Sequence, residues 1–337
     1  MPIRILDIAK AAGVSPATVA RVVNENGYVS QAKRRQVQQA IDELGYVPNK
    51  IASGLRTQKR HFIGHVVQLS VENPFFARIC NAVNDTAERA GYHVLTASNQ
   101  MDAQKERAVL ENLMGLMVDA IVFTGNTASD ADTIRWIQSR GIPVVMIERP
   151  QPGSRVDAVL LDSQQGASAA AEHILGKGHR DIGFLGAQYA QHEVEYQRYH
   201  GFCEGMKAGG VKVKKEWVRF VPDYTVEDGR QAMKELLALR RRPTALFVTS
   251  DVVVCGALQV LYKQGLRVPE DMSIVGFDNT LSSLCTPQLT SMEMQLEQAG
   301  ATAVEMVLER TKGSRLGAKT VTLSPVLIDR GSVRTMP

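Results

Sequence analysis

Pro16, Ala17, Thr18 and Arg21 share one outward face of a short predicted helix, the position from which a recognition helix meets the edges of base pairs. Lys33, Arg34 and Arg35 crowd the first turns of a further helix, where cations oppose the helix dipole and a nearby polyanion would offset the cost. Residues 1–60 hold ten Lys/Arg against four Asp/Glu, a net +6. The whole chain is +4, so residues 61–337 carry −2. Basicity confined to one end is the electrostatic footprint of a DNA-binding head on a nearly neutral body.

The elements that would position these groups are legible around them. Leu6, Ile8, Ala9 and Ala12 give a first short helix its apolar face. Gly13 supplies a left-handed turn and Val14 plugs the angle between two helices. Ser15 is the expected N-cap of the second helix, with Pro16 in its first turn. Val19, Val22 and Val23 turn that helix back onto the first. A third helix is expected to start at an N-cap Ser30, bury Val37, Ala40, Ile41 and Leu44, and end at Gly45. The layout is a helix-turn-helix.

From residue 61 onward, strands alternate with helices. Apolar runs at 62–69, 92–96, 120–124 and 144–147 are separated by helical patterns near 75–90, 103–116 and 129–140. The pattern restarts with strands at 182–185, 218–221, 245–249 and 273–277 and helices near 195–208, 228–239 and 252–264. Near-continuous apolar strands of this kind are buried on both faces of parallel sheets. The fold class expected is therefore α/β: an all-α helix-turn-helix head, then a body of two like subdomains with parallel sheets. A ligand in such a body sits beyond the carboxyl ends of the strands, in the cleft between subdomains. Residues 48–60 join head and body, and 49–56 make at most two turns of a helix that Gly54 weakens by about 1 kcal/mol relative to Ala.

Other chemistries find little support. No nucleophile elbow, paired-histidine zinc motif or phosphate loop occurs, and the seven histidines show no metal-ligand spacing, so no enzyme activity, cofactor or metal is expected. Four scattered cysteines (80, 203, 255 and 285) read as thiols of a reducing compartment. No run of about 18 apolar residues exists and no secretory signal opens the chain, so a cytoplasmic protein without membrane attachment is expected.

Together, Asp7-Ile-Ala-x-x-Ala-Gly-Val-Ser-x-x-Thr-Val-x-Arg-Val-Val-Asn24, Val29-Ser30 and Ala40-Ile-x-x-Leu-Gly-Tyr-x-Pro-Asn49 resemble the lactose-repressor/galactose-repressor (LacI/GalR) family of bacterial transcription regulators. Asn73-Pro-Phe-Phe76, Val118-Asp-Ala-Ile-Val, Gly141-Ile-Pro-Val-Val, Gly178-His-Arg-x-Ile182 and Val275-Gly-Phe-Asp278 extend the resemblance over essentially the whole chain, and are shared with periplasmic sugar-binding proteins. Departures are Arg4 for the usual Thr or Ser N-cap, Ala20 for Ser, Lys33 for Thr, Gly54 in the hinge, and Ser163 for Asn.

The resemblance implies a helix-turn-helix domain at 1–47, a hinge helix or linker at 48–60, and an effector-binding and dimerisation domain at 61–337. It divides the last into an N-subdomain (about 61–158 and 291–321) and a C-subdomain (about 159–290 and 322–337). DNA contact is implied for Ser15, Pro16, Ala17, Thr18, Arg21, Asn24, Tyr28, Ser30, Arg34, Asn49, Leu55 and Arg56. Arg21 would bond a guanine with both arms of its fork, and Leu55 would wedge between base steps in the minor groove. Phe75 and Phe76 would stand at the cleft entrance, Phe75 stacking on a ligand ring, with Arg149, His192, Arg198, Tyr224, Ser250 and Asp278 facing the cleft. The function implied is effector-controlled repression from a pseudo-palindromic operator. Only Asp329–Pro337 follow Ile328, too few residues for a tetramerising helix, so a homodimer is expected. The effector expected is a sugar, sugar acid or sugar phosphate, the acidic forms because Arg149, His192 and Arg198 would make the cleft cationic. The competing reading is a solute-binding protein of the same body fold with no regulatory role.

Overall fold

The computed structural model describes residues 3–23, 26–46, 60–67, 73–98, 102–124, 131–148, 155–188, 193–313 and 317–337. It divides into two compact units, Met1–His61 and Phe62–Pro337. Asn24, Asn49, Leu55, Arg56, Arg149 and His192, and with them the expected hinge, lie outside the described residues.

In the first unit, α1 (Ile5–Ala11), α2 (Pro16–Val23) and α3 (Gln31–Leu44) enclose a small core of Ile8, Ala9, Val19, Val22, Val37 and Ala40. Ser15 caps α2, its Oγ accepting from the Thr18 amide at 3.2 Å. Gly13 and Gly45 hold the left-handed turns, at φ +64° and +62°. The Asp7 carboxylate accepts from the Arg4 amide at 2.8 Å, so α1 is closed from its third position without a capping side chain at Arg4. Three expectations need correction. Leu6 is 63% exposed, because Ile5, Ile8, Ala9 and Ala12 share the inner face and Leu6 lies off it. Leu44 ends α3 at the rim of the core and stays exposed. Ser30 occupies the N-cap position of α3, but its side chain makes no capping bond.

In the second unit the strands β1 (Phe62–Val67), β2 (His93–Ser98), β3 (Ala120–Thr124), β4 (Val144–Ile147) and β5 (Asp157–Leu161) alternate with α4 (Pro74–Arg89), α5 (Ala103–Gly115) and α6 (Ala131–Gln138). There follow α7 (Ser163–Gly176), β6 (Ile182–Ala187), α8 (Glu193–Ala208), β7 (Val218–Val221), α9 (Val226–Leu237), β8 (Ala245–Val248), α10 (Asp251–Lys263) and β9 (Ser273–Asp278). The chain ends through β10 (Thr290–Glu293), α11 (Leu296–Thr311), β11 (Thr320–Leu323) and β12 (Val326–Ile328). Two six-stranded sheets result, ordered β11-β5-β4-β3-β1-β2 and β12-β10-β9-β8-β6-β7. All pairings are parallel except β12 on β10. The chain changes sheet after β5, β10 and β11, a few residues beyond the crossings expected near 158, 290 and 321, because each strand pairs to its end.

Polar caps stand where strands hand over to helices. Asp102, Asp162, Thr225 and Ser250 accept from the first-turn amides of α5, α7, α9 and α10, and Asn73 does so for α4, followed by Pro74. They also place polar side chains at the carboxyl ends of the sheets, where a ligand would bind. Behind them the core of the second sheet is aromatic: the Phe184 ring lies 5.0–5.8 Å from Tyr199, Phe202, Phe220 and Phe247.

Helix pairs on that sheet touch backbone to backbone. A Cβ added at Gly205 of α8 would sit 2.7 Å from the Ser168 carbonyl oxygen of α7, and one at Gly256 of α10 would collide with the Val226 carbonyl of α9. Gly256→Ala must part α9 from α10 and should lower unfolding stability by about 3 kcal/mol. Gly115→Ala is the control: at the end of α5 its Cβ meets nothing within 4 Å, so stability should hold or rise slightly. Urea midpoints measure both, and equal midpoints would refute the close approach.

Candidate functional site

The carboxyl ends of the two sheets converge on one guanidinium. Arg198, on α8, is 4% exposed. Its Nη1 donates to the Thr249 carbonyl at 2.8 Å and reaches Glu195 Oε1 at 3.4 Å; its Nη2 lies 3.5 Å from Asp278 Oδ1. The guanidinium carbon sits 4.5 Å from the centre of the Phe277 ring. Glu195 is fully buried, and its Oε2 accepts from the Ala187 amide at 2.8 Å and the Thr249 hydroxyl at 2.9 Å. Glu148, just after β4 of the other sheet, acts electrostatically on both Arg198 and Asp278, so the strand ends of the two subdomains face each other here.

Burial sets the protonation of this group. It raises the Glu195 carboxyl against the pull of Arg198, Thr249 and Tyr224. Burial also raises the Tyr224 phenol, and the Glu195 carboxylate adds to that. For Arg198 burial works the other way, yet Tyr224, Asp278, Glu195 and Glu148 hold its charge more firmly than usual. Asp278 is pushed up to about 7 by burial and by the neighbouring Asp251, Glu148 and Glu195, although Arg198 opposes this. Asp278 and Glu148 also hold left-handed backbone, at φ +85° and +78°, a conformation that side chains adopt at a cost and that concentrates at ligand sites.

The raised Asp278 makes a pH prediction. Between about 4 and 7 the folded protein binds a proton there that the unfolded chain does not, so this group's stabilising contribution is full below about pH 4 and is lost as pH rises through about 7. Asp278→Asn should flatten that segment of the thermal-midpoint profile. Superimposable slopes for both proteins would show that Asp278 ionises normally.

Of the expected effector residues, Arg198, Tyr224 and Asp278 meet in this cluster, with Ser250, the cap of α10, following Thr249 in the chain. Phe75 does not stand free: it is 4% exposed and packs into the main core with Ile79 and Val83, because α4 turns it inward. Phe76, edge-on to it at 5.2 Å, is half-buried and is the ring with surface to offer. The expected cationic character fails at Arg198, whose charge is already matched by Glu195, Asp278 and Glu148. Glu148, Glu195 and Thr249 were not anticipated. Glu195 had one local signal, its place one helical turn before Arg198.

Arg78 of α4 was also missed. It bonds Glu297 at 2.7 Å, Glu293 at 3.2 Å and the Asn279 carbonyl at 3.1 Å, tying α4 to the far sheet beside Asp278.

In the first unit Pro16, Ala17, Arg21 and Tyr28 are exposed, while Thr18, Ser30 and Arg34 are half-buried. The Ser15 and Thr18 hydroxyls pair at 2.9 Å on the outer face of α2. Among the described residues no acid pairs with Lys10, Arg21, Lys33, Arg34 or Arg35. Such a face suits a polyanion.

A three-helix head with a basic outer surface, and a body whose twin parallel sheets meet over buried charges, define the class of transcriptional regulators with a periplasmic-binding-type body. Residues 4–49 match the model of bacterial regulatory proteins of the lacI family, and residues 171–333 match the periplasmic binding protein-like domain. The chain is 33% identical over 331 residues to the HTH-type transcriptional repressor PurR of Mannheimia succiniciproducens, covering 98% of each. Its structure resembles that of the lac repressor dimer bound to operator and the anti-inducer ONPF, with TM-score 0.86 and 25% identity over 99% of this chain and all of that one. It also resembles a transcriptional regulator CelR–cellobiose complex, with TM-score 0.73 and 28% identity over 98% of this chain and 99% of that one. The chain belongs to the LacI family of transcriptional regulators. It is a regulator and not an enzyme, and the reading as a solute-binding protein without a regulatory role is set aside. Among the described residues no helix is long and apolar enough to cross a membrane.

Proposed function

We propose that this protein is a cytoplasmic repressor that binds a pseudo-palindromic operator as a homodimer and releases or engages it in response to a neutral, hydroxyl-rich sugar in the body cleft. Ser15, Pro16, Ala17, Thr18, Arg21, Tyr28, Ser30 and Arg34 carry the DNA-contact role among the described residues, α2 reading the major groove. Arg198, Tyr224, Ser250 and Asp278 carry the effector role, with Phe76 in place of Phe75 as the stacking ring. The observation that carries the ligand class is the charge balance at Arg198. A guanidinium already paired with buried carboxylates has no free charge for a second anion, yet the forked and hydroxyl groups around it suit sugar hydroxyls. This replaces the sugar acid or sugar phosphate expected from the sequence. Cellobiose in the related complex is a ligand of the proposed kind.

A second reading rests on Phe76, whose half-buried ring could equally stack on a flat heteroaromatic base such as a purine. Calorimetry on the full chain with cellobiose and glucose, with gluconate and glucose 6-phosphate, and with purine bases separates these. Neutral sugars should bind at least about tenfold more tightly than their acidic counterparts, since an anion would meet carboxylates that already outnumber the one guanidinium. Tighter binding of the acidic partner overturns the ligand class, and tight binding of a purine base transfers the effector role to the second reading.

A further inference from the structure

The four cysteines are far apart in sequence, but two of them meet in the fold. Cys255, in the middle of α10, and Cys285, in the loop between β9 and β10, bring their sulfurs to 3.9 Å, and both are partly open to solvent. The contact belongs to a built arrangement. Asp251 lies four residues before Cys255, on the same face of α10. Its carboxylate binds this same loop through the Leu281 amide at 2.9 Å, the Ser282 amide at 3.0 Å and the Ser282 hydroxyl at 2.8 Å. Gly276 leaves room for that carboxylate: a Cβ there would sit 2.6 Å from Asp251 Oδ1. Asp251 thus fixes one end of the loop and delivers Cys285 to Cys255 one helical turn further on.

We propose that Cys255 and Cys285 form an oxidation site for hydrogen peroxide, closing an intrachain disulfide that staples the Asn279–Pro287 loop to α10. In the first step the Cys255 thiolate attacks one peroxide oxygen; the O–O bond breaks, and the sulfur is oxidised to a sulfenic acid. The departing hydroxide takes up the proton that Cys255 lost, leaving as water. In the second step the Cys285 sulfur attacks the sulfenic sulfur, the S–S bond forms, and the hydroxyl leaves with the Cys285 proton as a second water. One peroxide is reduced and two thiols are oxidised, so no other reagent is consumed.

The division of labour follows from the contact. The neighbouring Cys285 S–H holds the Cys255 thiol below its ordinary range, although burial and the Asp251 carboxylate push the other way. The same contact, with burial, raises Cys285. Burial raises Cys80 and Cys203, which have no such partner sulfur among the described residues. Thiolate character and access together select the attacking sulfur. A thiol pair of this kind in a reducing compartment closes only transiently, as a sensor does. The stapled loop begins beside Asp278, and Asn279 accepts from Arg78, so the modification lies next to the effector cluster.

The test uses the full chain, fully reduced, treated with hydrogen peroxide, alkylated and mapped by mass spectrometry without reductant. The expected result is an intrachain Cys255–Cys285 peptide that reductant opens, formed about tenfold faster than Cys80 or Cys203 is oxidised. In Cys285→Ser, dimedone should trap a sulfenic acid at Cys255; in Cys255→Ser, Cys285 should react no faster than Cys203. The wild-type peptide map stands even if a serine variant fails to fold. Oxidation of Cys80 or Cys203 in preference, or a chain-to-chain disulfide on a non-reducing gel in place of the intrachain one, overturns the proposal.

Discussion

Operator affinity should fall by about a thousandfold or more as salt rises from about 50 to 200 mM. Each phosphate neutralised by a cation releases condensed counterions, and that release weakens as bulk salt rises. The head presents Lys10, Arg21, Lys33, Arg34 and Arg35 with no acidic partner among the described residues, and the proposed dimer would double the set. The same measurement separates positioning from reading. Lys33→Ala should weaken every sequence alike and lower the salt slope by about one, the signature of a phosphate contact. Arg21→Ala should cost about 1–3 kcal/mol on the preferred operator and relax choice at one base pair of each half-site. Filter binding or anisotropy over a salt series on operator and scrambled duplexes gives both numbers. A flat salt response, or indistinguishable behaviour of the two variants, would remove the assigned roles.

Arg198→Ala should abolish effector binding and lower the stability of the body by about 3 kcal/mol, because it strands buried carboxylates without their cation. Glu195 and Asp278 lie at 3.4 and 3.5 Å from the guanidinium, and all three side chains are at most 5% exposed. Asp278, raised to about 7, can take up a proton and relieve part of the penalty, so the loss should be larger at pH 8 than at pH 6. A double variant, Arg198→Ala with Asp278→Asn, should recover part of the stability but none of the binding, since it removes a stranded charge and restores no donor. Denaturant midpoints at the two pH values, with calorimetry for the ligand, test both halves. An unchanged midpoint would mean that water or a rearranged side chain already satisfies the carboxylates.

Much of this architecture was readable from residues 1–337 alone, for a local reason. Strands buried on both faces must be apolar throughout, so β3 and β4 fall where the apolar runs at 120–124 and 144–147 placed them. Gly13, Ser15 and Gly45 announce the head because left-handed turns and caps are chemistry within a few residues. β11 and β12 have no such signature, being three or four residues long and partly exposed, and their place depends on which edge they join.

The site divides along the same line. Asp278 could be picked from sequence because a polar residue closing the apolar strand β9 stands out locally, whereas Arg198, within α8, was picked through the family resemblance. Their chemistry could not. Glu195 matters through Thr249, 54 residues away, and Asp278 through Arg198, 80 away, so neither shift is written in the local sequence. A lone arginine reads as a cation for an anionic ligand; three carboxylates converging on it make it a matched charge. Phe75 and Phe76 are adjacent and alike, and only the packing of α4 buries one and leaves the other with surface. Likewise Cys255 and Cys285 are two scattered thiols in the sequence and one pair in the fold. Residue types and spacings determine which elements form and which groups carry charge. Solvent exclusion and through-space distance decide what those groups do, and both belong to the tertiary structure because burial sets the cost of an unmatched charge.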